Sequence, residues 1–320
     1  MSMEMAGPIV SVIICTRDRA EDLRQTLVAI AHLCVPDTMP AELVVVDNAS
    51  TDGTATLVRE SRLPNMPVRY VFEGRGGKGY AYNAGMAAAQ GGVLLFTDDD
   101  VRPPRDWIAG MAGPILRGQV DAVAGGVRMA HHLARPWMWV GLRGAMADTD
   151  HLDAEAPQNL IGANMAFSRS VLKKVPAFDP ELGPGALGFA DEVLFSYQLK
   201  AAGFRIGSAL DVVVEHHFDP ARLTRESLLK AAGKHGRSQA YLAHHWDHKV
   251  ISLPQGRLAK CALRLAVQRV RHRRTPASAE GLARWEFEGT AIIEFYRGYL
   301  CEQRRSRVYD KHGLMKRTEI

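Results

Sequence analysis

The stretch 74-GRGGKGYAYNAG-85 decides how the rest of the chain is read. It has G-x-G-x-x-G spacing, the fingerprint of a dinucleotide-binding loop. The apolar run 68-VRYVF-72 leads into it. The acidic cluster 97-TDDD-100 follows about twenty residues later, where the ribose-binding acid of such a loop sits. A nicotinamide or flavin site would account for this stretch alone. The segments on either side test whether it accounts for anything else.

Working outward, 9-IVSVIIC-15 is a short β-branched run, as expected of a strand buried on both faces, and it breaks into polar TRDR. A helical pattern covers 21–33, with Leu23, Leu27 and Ile30 on one face. 42-ELVVVD-47 is a second strand, NASTDGT a turn, 54–61 a helix and 68–72 a third strand. The Gly-rich stretch opens a helix through Gln90, and 92-GVLLFT-97 is a fourth strand running into DDD. Strands alternating with helices predict an α/β fold with a doubly wound, Rossmann-like, mostly parallel sheet flanked by helices. Ligands of such sheets lie off the carboxyl ends of the strands. Here those ends are TRDR, DNASTD, EGRGGKG and TDDD, all polar. Further strands are predicted at 120–127, 161–167 and 211–217, with a helix at 193–202. The irregular 128–160 reads as an acceptor-side loop.

Bulk properties set limits. With 320 residues, 47% apolar and 23% charged, the chain has material for a sizeable core. No apolar run approaches the ~18 residues a spanning helix needs. The start, MSMEMAGPIV, lacks the basic and apolar regions of a signal peptide. Four cysteines without C-x-x-C spacing argue against structural zinc and a disulfide framework, and a reducing cytoplasm is expected. Residues 257–320 hold 15 Lys/Arg against 7 Asp/Glu, a balance of +8. That leaves 25 against 28, or −3, in residues 1–256. The basic character therefore belongs to the tail.

Asp98, Asp99 and Asp100 at a strand end repel one another and need solvent or a cation. An exposed acidic turn is the plain alternative, but the carboxyl end of a parallel strand faces the ligand crevice. A hard divalent ion, Mg²⁺ or Mn²⁺, answers the repulsion. Asp47 ends another strand and Asp52 follows in NASTDGT. Turn chemistry explains that composition but not its place at a second crevice-facing end.

VSVIICTRDR, ELVVVDNASTDGT, GRGGKGYAYNAG and LLFTDDDVRPPRDW, followed by IGANMAFSRSVLKKVPAFD and FADEVLFSYQLKAAGFRI, resemble the family-2 nucleotide-sugar glycosyltransferases over about residues 9–218. The resemblance implies a GT-A fold, in which GRGGKG lies near the donor diphosphate and its dinucleotide spacing is accidental. It implies donor contacts from Thr16, Arg17, Asp47, Ser50, Asp52, Arg75, Gly77, Lys78, Asn83, Asp98 and Asp99, with Asp47 on the base, expected to be uracil. Asp98 and Asp100 correspond to the D-x-D pair, and His216 or His217 to a histidine that some relatives place near the metal; His216 is the expected ligand. The catalytic base falls in Asp191-Glu192, where the family's usual Glu-Asp order is reversed. Counting back from AG of KAAGF favours Glu192, with Asp191 close behind. Both residues also suit a helix N-terminus, whose dipole favours carboxylates.

The expected organisation is a catalytic domain over 1–224 (donor half 9–105, acceptor and base half 106–224) and a basic helical extension over 225–320. In the extension, 225–246 reads as a helix interrupted at Gly233 and Gly236. His244 and His248 fall on a helix surface. Residues 257–274 are amphipathic, with Leu258, Ala262 and Leu265 on one side and Lys260, Arg264 and Arg271 on another. A further helix restarts at Thr275 and Pro276 with an apolar stripe of Leu282, Trp285, Ile292, Phe295 and Tyr299. Such a basic helix packs on its own domain, binds nucleic acid or lies on an anionic membrane. Nucleic acid is not expected, because no recognised binding motif accompanies the run.

The resulting expectation is a metal-dependent, inverting glycosyltransferase using an NDP-sugar, with a UDP-sugar favoured. The acceptor would be a glycan, a lipid-linked glycan or a small-molecule hydroxyl. The site would be cytoplasmic, with peripheral contact at the inner membrane face. A sugar-nucleotide nucleotidyltransferase needs a Gly-rich basic signature after the first strand, where TRDR stands. A non-catalytic binding protein would be expected to have a degraded acidic cluster.

Overall fold

Burial on both faces of the central strands decides the architecture. The computed structural model describes residues 7–156, 158–272 and 280–317. Strands β1 (Val10–Thr16), β2 (Ala41–Asp47), β3 (Val68–Phe72) and β4 (Val93–Asp98) alternate with helices α1 (Ala20–Ala31), α2 (Thr54–Glu60) and α3 (Lys78–Ala88). Val12, Ile14, Leu43 and Val45 point to one face, where Leu23, Leu27 and Ile30 of α1 cover them. Ile13, Val44 and Val46 point to the other and meet Tyr82 and Met86 of α3. Covering both faces is what parallel strands require. The β-branched runs supply apolar side chains in both directions.

The second half adds β5 (Val101–Arg102), α4 (Trp107–Leu116), β6 (Ala122–Met129), α5 (Val140–Ala145), β7 (Asn164–Ser168), α6 (Asp191–Ala201) and β8 (Ile206–His216). The sheet order is β3-β2-β1-β4-β7-β6-β8-β5. The strands β3, β2, β1 and β4 run parallel, while β7 is antiparallel to β4 and to β6. This is the expected mixed sheet flanked by helices.

Helices α7 (Arg225–Tyr241), α8 (Pro254–Arg271) and α9 (Arg284–Glu302) follow. Here several expectations are corrected. Gly233 and Gly236 do not interrupt α7, which continues into a π-helical turn, Leu242–Trp246. A Cβ at Gly236 would lie 2.1 Å from the Ala291 carbonyl oxygen, so the glycine lets α9 seat directly on α7. Packing offsets the propensity cost of about 1 kcal/mol. Of the histidines that follow, His244 is buried and His248 half-buried. His244 and His248 meet the backbone oxygens of Arg305 and Tyr309, each at 3.1 Å. In α9, Ile293 takes the buried place expected for Ile292, which is exposed. On α8, Leu265 is buried and Ala262 is exposed. The helix start expected at Thr275 and Pro276 lies outside the described residues.

One hub ties the C-terminal helices to the turn after Phe178. The buried Asp179 accepts hydrogen bonds from Tyr241 Oη (2.5 Å), Tyr309 Oη (2.8 Å) and Lys316 Nζ (2.9 Å). Leu182 and Leu194 share a core with Tyr241, Trp246 and Tyr309 across position 224.

Candidate active site

Parallel register gathers the strand ends. Thr16 lies opposite Asp47, and Cys15 opposite Asp98. Strand β5, only two residues long, pairs antiparallel with β8 and sets Val101 opposite His216. A histidine far along the chain thereby arrives beside Asp100.

The three carboxylates do not face one another unanswered. Asp98 meets Lys78 Nζ at 2.6 Å. Asp99 accepts from Thr16 Oγ1 at 2.7 Å and from Arg19 at 2.8 Å. The same guanidinium reaches Asp100 Oδ2 at 2.9 Å. Repulsion therefore has answers within the protein, and Arg19 is a residue that sequence reasoning passed over. Its position in the first polar strand end was the available signal. Burial raises the pKa of Asp99 to about 7, against the pull of Arg19. For Asp100 burial acts in the same direction, but the neighbouring His216 and the Arg19 guanidinium outweigh it and hold the carboxyl well below the usual range.

One atom is left over. Asp100 Oδ1 is buried without a hydrogen-bond partner. His216 Nε2 stands 3.4 Å from it, while His216 Nδ1 lies 3.1 Å from the Met146 carbonyl. Donation from Nδ1 to that carbonyl leaves Nε2 as the lone-pair nitrogen, the arrangement that orients a metal-binding imidazole. Asp98, Asp100 and His216 each offer a ligand atom within 4.8 Å of the others, so the group can hold a divalent ion.

The loops after β1, β2 and β3 are cross-stitched. Asp47 accepts from the Ser50 amide at 2.8 Å and from Tyr70 Oη at 2.8 Å. Asp52 accepts from Thr54 and the Ala20 amide, and Ser50 Oγ from the Asp18 amide. These residues thus join the loop after β1 to the loop after β2. Asn48, also missed in the sequence, donates to the Glu73 and Arg75 carbonyls and accepts from the Gly77 amide at 2.8 Å. It holds the Gly-rich loop in shape. Gly77, at φ 131°, takes a backbone conformation that side chains avoid. A Cβ on Gly185 would come within 2.8 Å of Gly77 Cα, so the loop before α6 rests on the Gly-rich loop. Arg75 is engaged by Glu73 and lies over Tyr80. The half-exposed Arg17 passes next to Gly76. Asn83 was expected to face the donor, but both ends of its amide bind the Phe178 backbone. That pairing fixes the turn leading to Asp179.

Helix α6 begins at Asp191, after Ala190 in the left-handed region at φ 72°. Asp191 is buried and Glu192 partly so. Burial, then the adjacent Asp191 carboxylate, raises the Glu192 pKa well above the usual carboxyl range, with Lys78 pulling the other way. Lys78 stands between the two acidic groups: burial disfavours its charge, but Asp98 and Asp191 keep it a firm cation.

Ordered strand-end motifs around such a centre call for comparison with known proteins. The description of glycosyl transferase family 2 matches residues 11–176, more than half of the chain. The chain belongs to glycosyl transferase family 2. It is 32% identical over 126 residues to glycosyltransferase AglE of Haloferax volcanii, covering 39% of this chain and 41% of that one. It is 30% identical over 123 residues to glucosyl-3-phosphoglycerate synthase of Mycolicibacterium paratuberculosis, covering 35% of each. These matches span well under half the length of either relative. Among solved structures, the mannosyltransferase PcManGT of Pyrobaculum calidifontis, in complex with GDP-Man and Mn²⁺, superposes with a TM-score of 0.61 at 22% identity, covering 93% of this chain and 89% of that one. TarS 1-349 of S. aureus gives 0.52 at 17% identity, covering 90% and 91%. Both likenesses concern the fold.

Proposed function

We propose that this family-2 member is a metal-dependent, inverting glycosyltransferase. It moves a sugar from a nucleoside-diphosphate sugar, with uracil as the base, to the hydroxyl of a glycan, lipid-linked or small-molecule acceptor. The observation that carries the reading is Asp100 Oδ1, buried, unpartnered and facing the lone pair of His216 Nε2. Two carboxylates and one imidazole suit Mn²⁺ or Mg²⁺. When bound, such an ion supplies Lewis-acid stabilisation of charge on the departing nucleotide.

The chain's own groups do the rest. Thr16, Arg17, Asp47, Ser50 and Asp52 shape the nucleoside side. Arg75 and Lys78 offer charge to the diphosphate, Gly77 gives the loop its bend there, and Asp99 holds Thr16 and Arg19 in place. Glu192 takes the acceptor proton at its carboxylate, with Asp191 beside it. Burial and the adjacent Asp191 carboxylate hold the Glu192 pKa above the ordinary carboxyl range. Turnover therefore rises with pH along a limb above the ordinary carboxyl range. The excess of basic residues after position 256 supports work at the cytoplasmic face of an anionic membrane.

Calorimetry of UDP and GDP, with Mn²⁺ and with EDTA, tests the donor and the metal. UDP should bind in Mn²⁺ and weaken sharply in EDTA and in Asp100→Asn. Equal affinity with and without metal removes the ion from the reading, and a preference for GDP removes uridine. Glu192→Gln should lose roughly 10²–10⁴ in turnover while keeping nucleotide affinity. If Asp191→Asn abolishes turnover and Glu192→Gln spares it, the base is Asp191. Product formed from UTP and a sugar 1-phosphate would make the protein a nucleotidyltransferase instead.

A further inference from the structure

Helix α8 shows two different sides. Its inner side seats Leu265 against α9, where a Cβ on Gly289 would come within 2.8 Å of Leu265 Cδ1. Its outer side is apolar and uncovered. Leu263 is 67% exposed, Val267 41% and Val270 63%, spaced so that they form one stripe along the helix. Val250 and Leu253, just before the helix, are 84% and 80% exposed. Beside this stripe run Arg257, Lys260, Arg264 and Arg271, all exposed. Among the described residues none of these four pairs with a carboxylate. Arg269 differs, turning inward to Glu286 at 3.1 Å. No Asp or Glu occurs anywhere from position 248 to 279.

We infer that the outer face of α8 is a docking surface for an anionic lipid bilayer, lying in the plane of the interface with Leu263, Val267 and Val270 below the headgroups and the four cations at the lipid phosphates. This rests on the membrane part of the function proposed above. It goes beyond that part in assigning insertion to a stripe that charge counting does not find. A second copy of the chain fits this face poorly. Pairing two α8 helices would bring like-charged rows together with no acidic residue on either helix to meet them. Nucleic acid would use the cations and leave the apolar stripe in water. A lipid interface satisfies both stripes at once, as interfacial amphipathic helices do.

Sedimentation with phosphatidylcholine vesicles, with and without phosphatidylglycerol, tests the assignment on the full chain. The protein should bind only vesicles containing phosphatidylglycerol, and salt should weaken the binding without abolishing it. Changing Leu263, Val267 and Val270 together to Ser should lower partitioning at least about tenfold. Changing Lys260, Arg264 and Arg271 together to Gln should lower it by about fivefold per charge, near 100-fold in all. Val267→Trp should show a blue-shifted emission with anionic vesicles alone. Unchanged UDP affinity shows that each variant remains folded. No binding to anionic vesicles, or binding by the Ser variant equal to the parent, overturns the assignment. So does a concentration-dependent dimer that the Ser variant removes. A parent that binds vesicles but no nucleotide keeps this inference and sinks the glycosyltransferase reading.

Discussion

Replacing Gly236 by Ala tests the junction on which the C-terminal helices depend. The added Cβ would stand 2.1 Å from the Ala291 oxygen, 2.8 Å from the Phe295 nitrogen and 3.0 Å from the Ala291 carbon. All are backbone atoms of α9, so no side chain can swing aside. Ordinary contact begins near 3.4 Å. The helices must therefore part by roughly 1.3 Å (3.4 less 2.1) at their closest approach, loosening neighbours along both. Overpacking of this kind costs about 1–3 kcal/mol, and a rigid obstacle places it at the upper end. Helix propensity returns about 1 kcal/mol. The net loss is about 2 kcal/mol, or near 4 °C in Tm at about 2 °C per kcal/mol for a chain this long. Gly256→Ala, on α8 with nothing within 4 Å of its Cβ, is the matched control. It should gain up to about 1 kcal/mol. Scanning calorimetry and urea midpoints read both variants. If Gly236→Ala proves as stable as the parent, α7 and α9 do not meet as closely as the structure has them.

Glu192→Gln should also change stability, with a definite sign. Below the ordinary Glu range both folded and unfolded chains hold the proton, and the variant gains nothing. As pH rises through that range the unfolded parent ionises first, because burial and Asp191 hold the folded pKa higher, and the parent loses stability that Gln retains. The variant's Tm should exceed the parent's at neutral pH and match it in acid; the reverse order would mean that Glu192 is ionised and stabilised in the fold. Asn48→Ala removes three bonds that hold the Gly-rich loop. It should weaken UDP binding about tenfold, near 1.4 kcal/mol, and speed hydrogen exchange at the Gly77 amide, whereas unchanged exchange would mean that the loop holds its own shape.

The sequence showed β1, β2 and β4 because each carries apolar residues on both faces, a pattern readable without any partner. It did not show β5, since two residues carry no period and exist as a strand only through pairing with β8. The candidate metal site was half legible. Adjacent aspartates advertise charge, but the role of His216 depends on a carbonyl seventy residues away. Arg19 and Asn48 were passed over because each acts on groups brought near only by the fold. Gly233 and Gly236 were misread for the opposite reason. Local propensity marks glycine as a breaker, and only the approach of α9 shows why it stands inside a helix. On α8 the charges were legible, but which apolar side chains stay in water depended on how α9 took the inner face.

The Asp179 hub also constrains the order in which the molecule is made. Its partners Tyr241, Tyr309 and Lys316 lie 62, 130 and 137 positions further along the chain. During synthesis the turn after Phe178 emerges long before the last of them. Until they arrive, its carboxylate must stay in water, because a buried charge without partners is costly. The nascent acceptor half therefore waits, with Leu182 and Leu194 lacking the cover that Tyr241, Trp246 and Tyr309 will give them. Contacts of such long separation close slowly, and exposed apolar surface meanwhile invites association. On the ribosome this side of the core stays open until residue 316 is free.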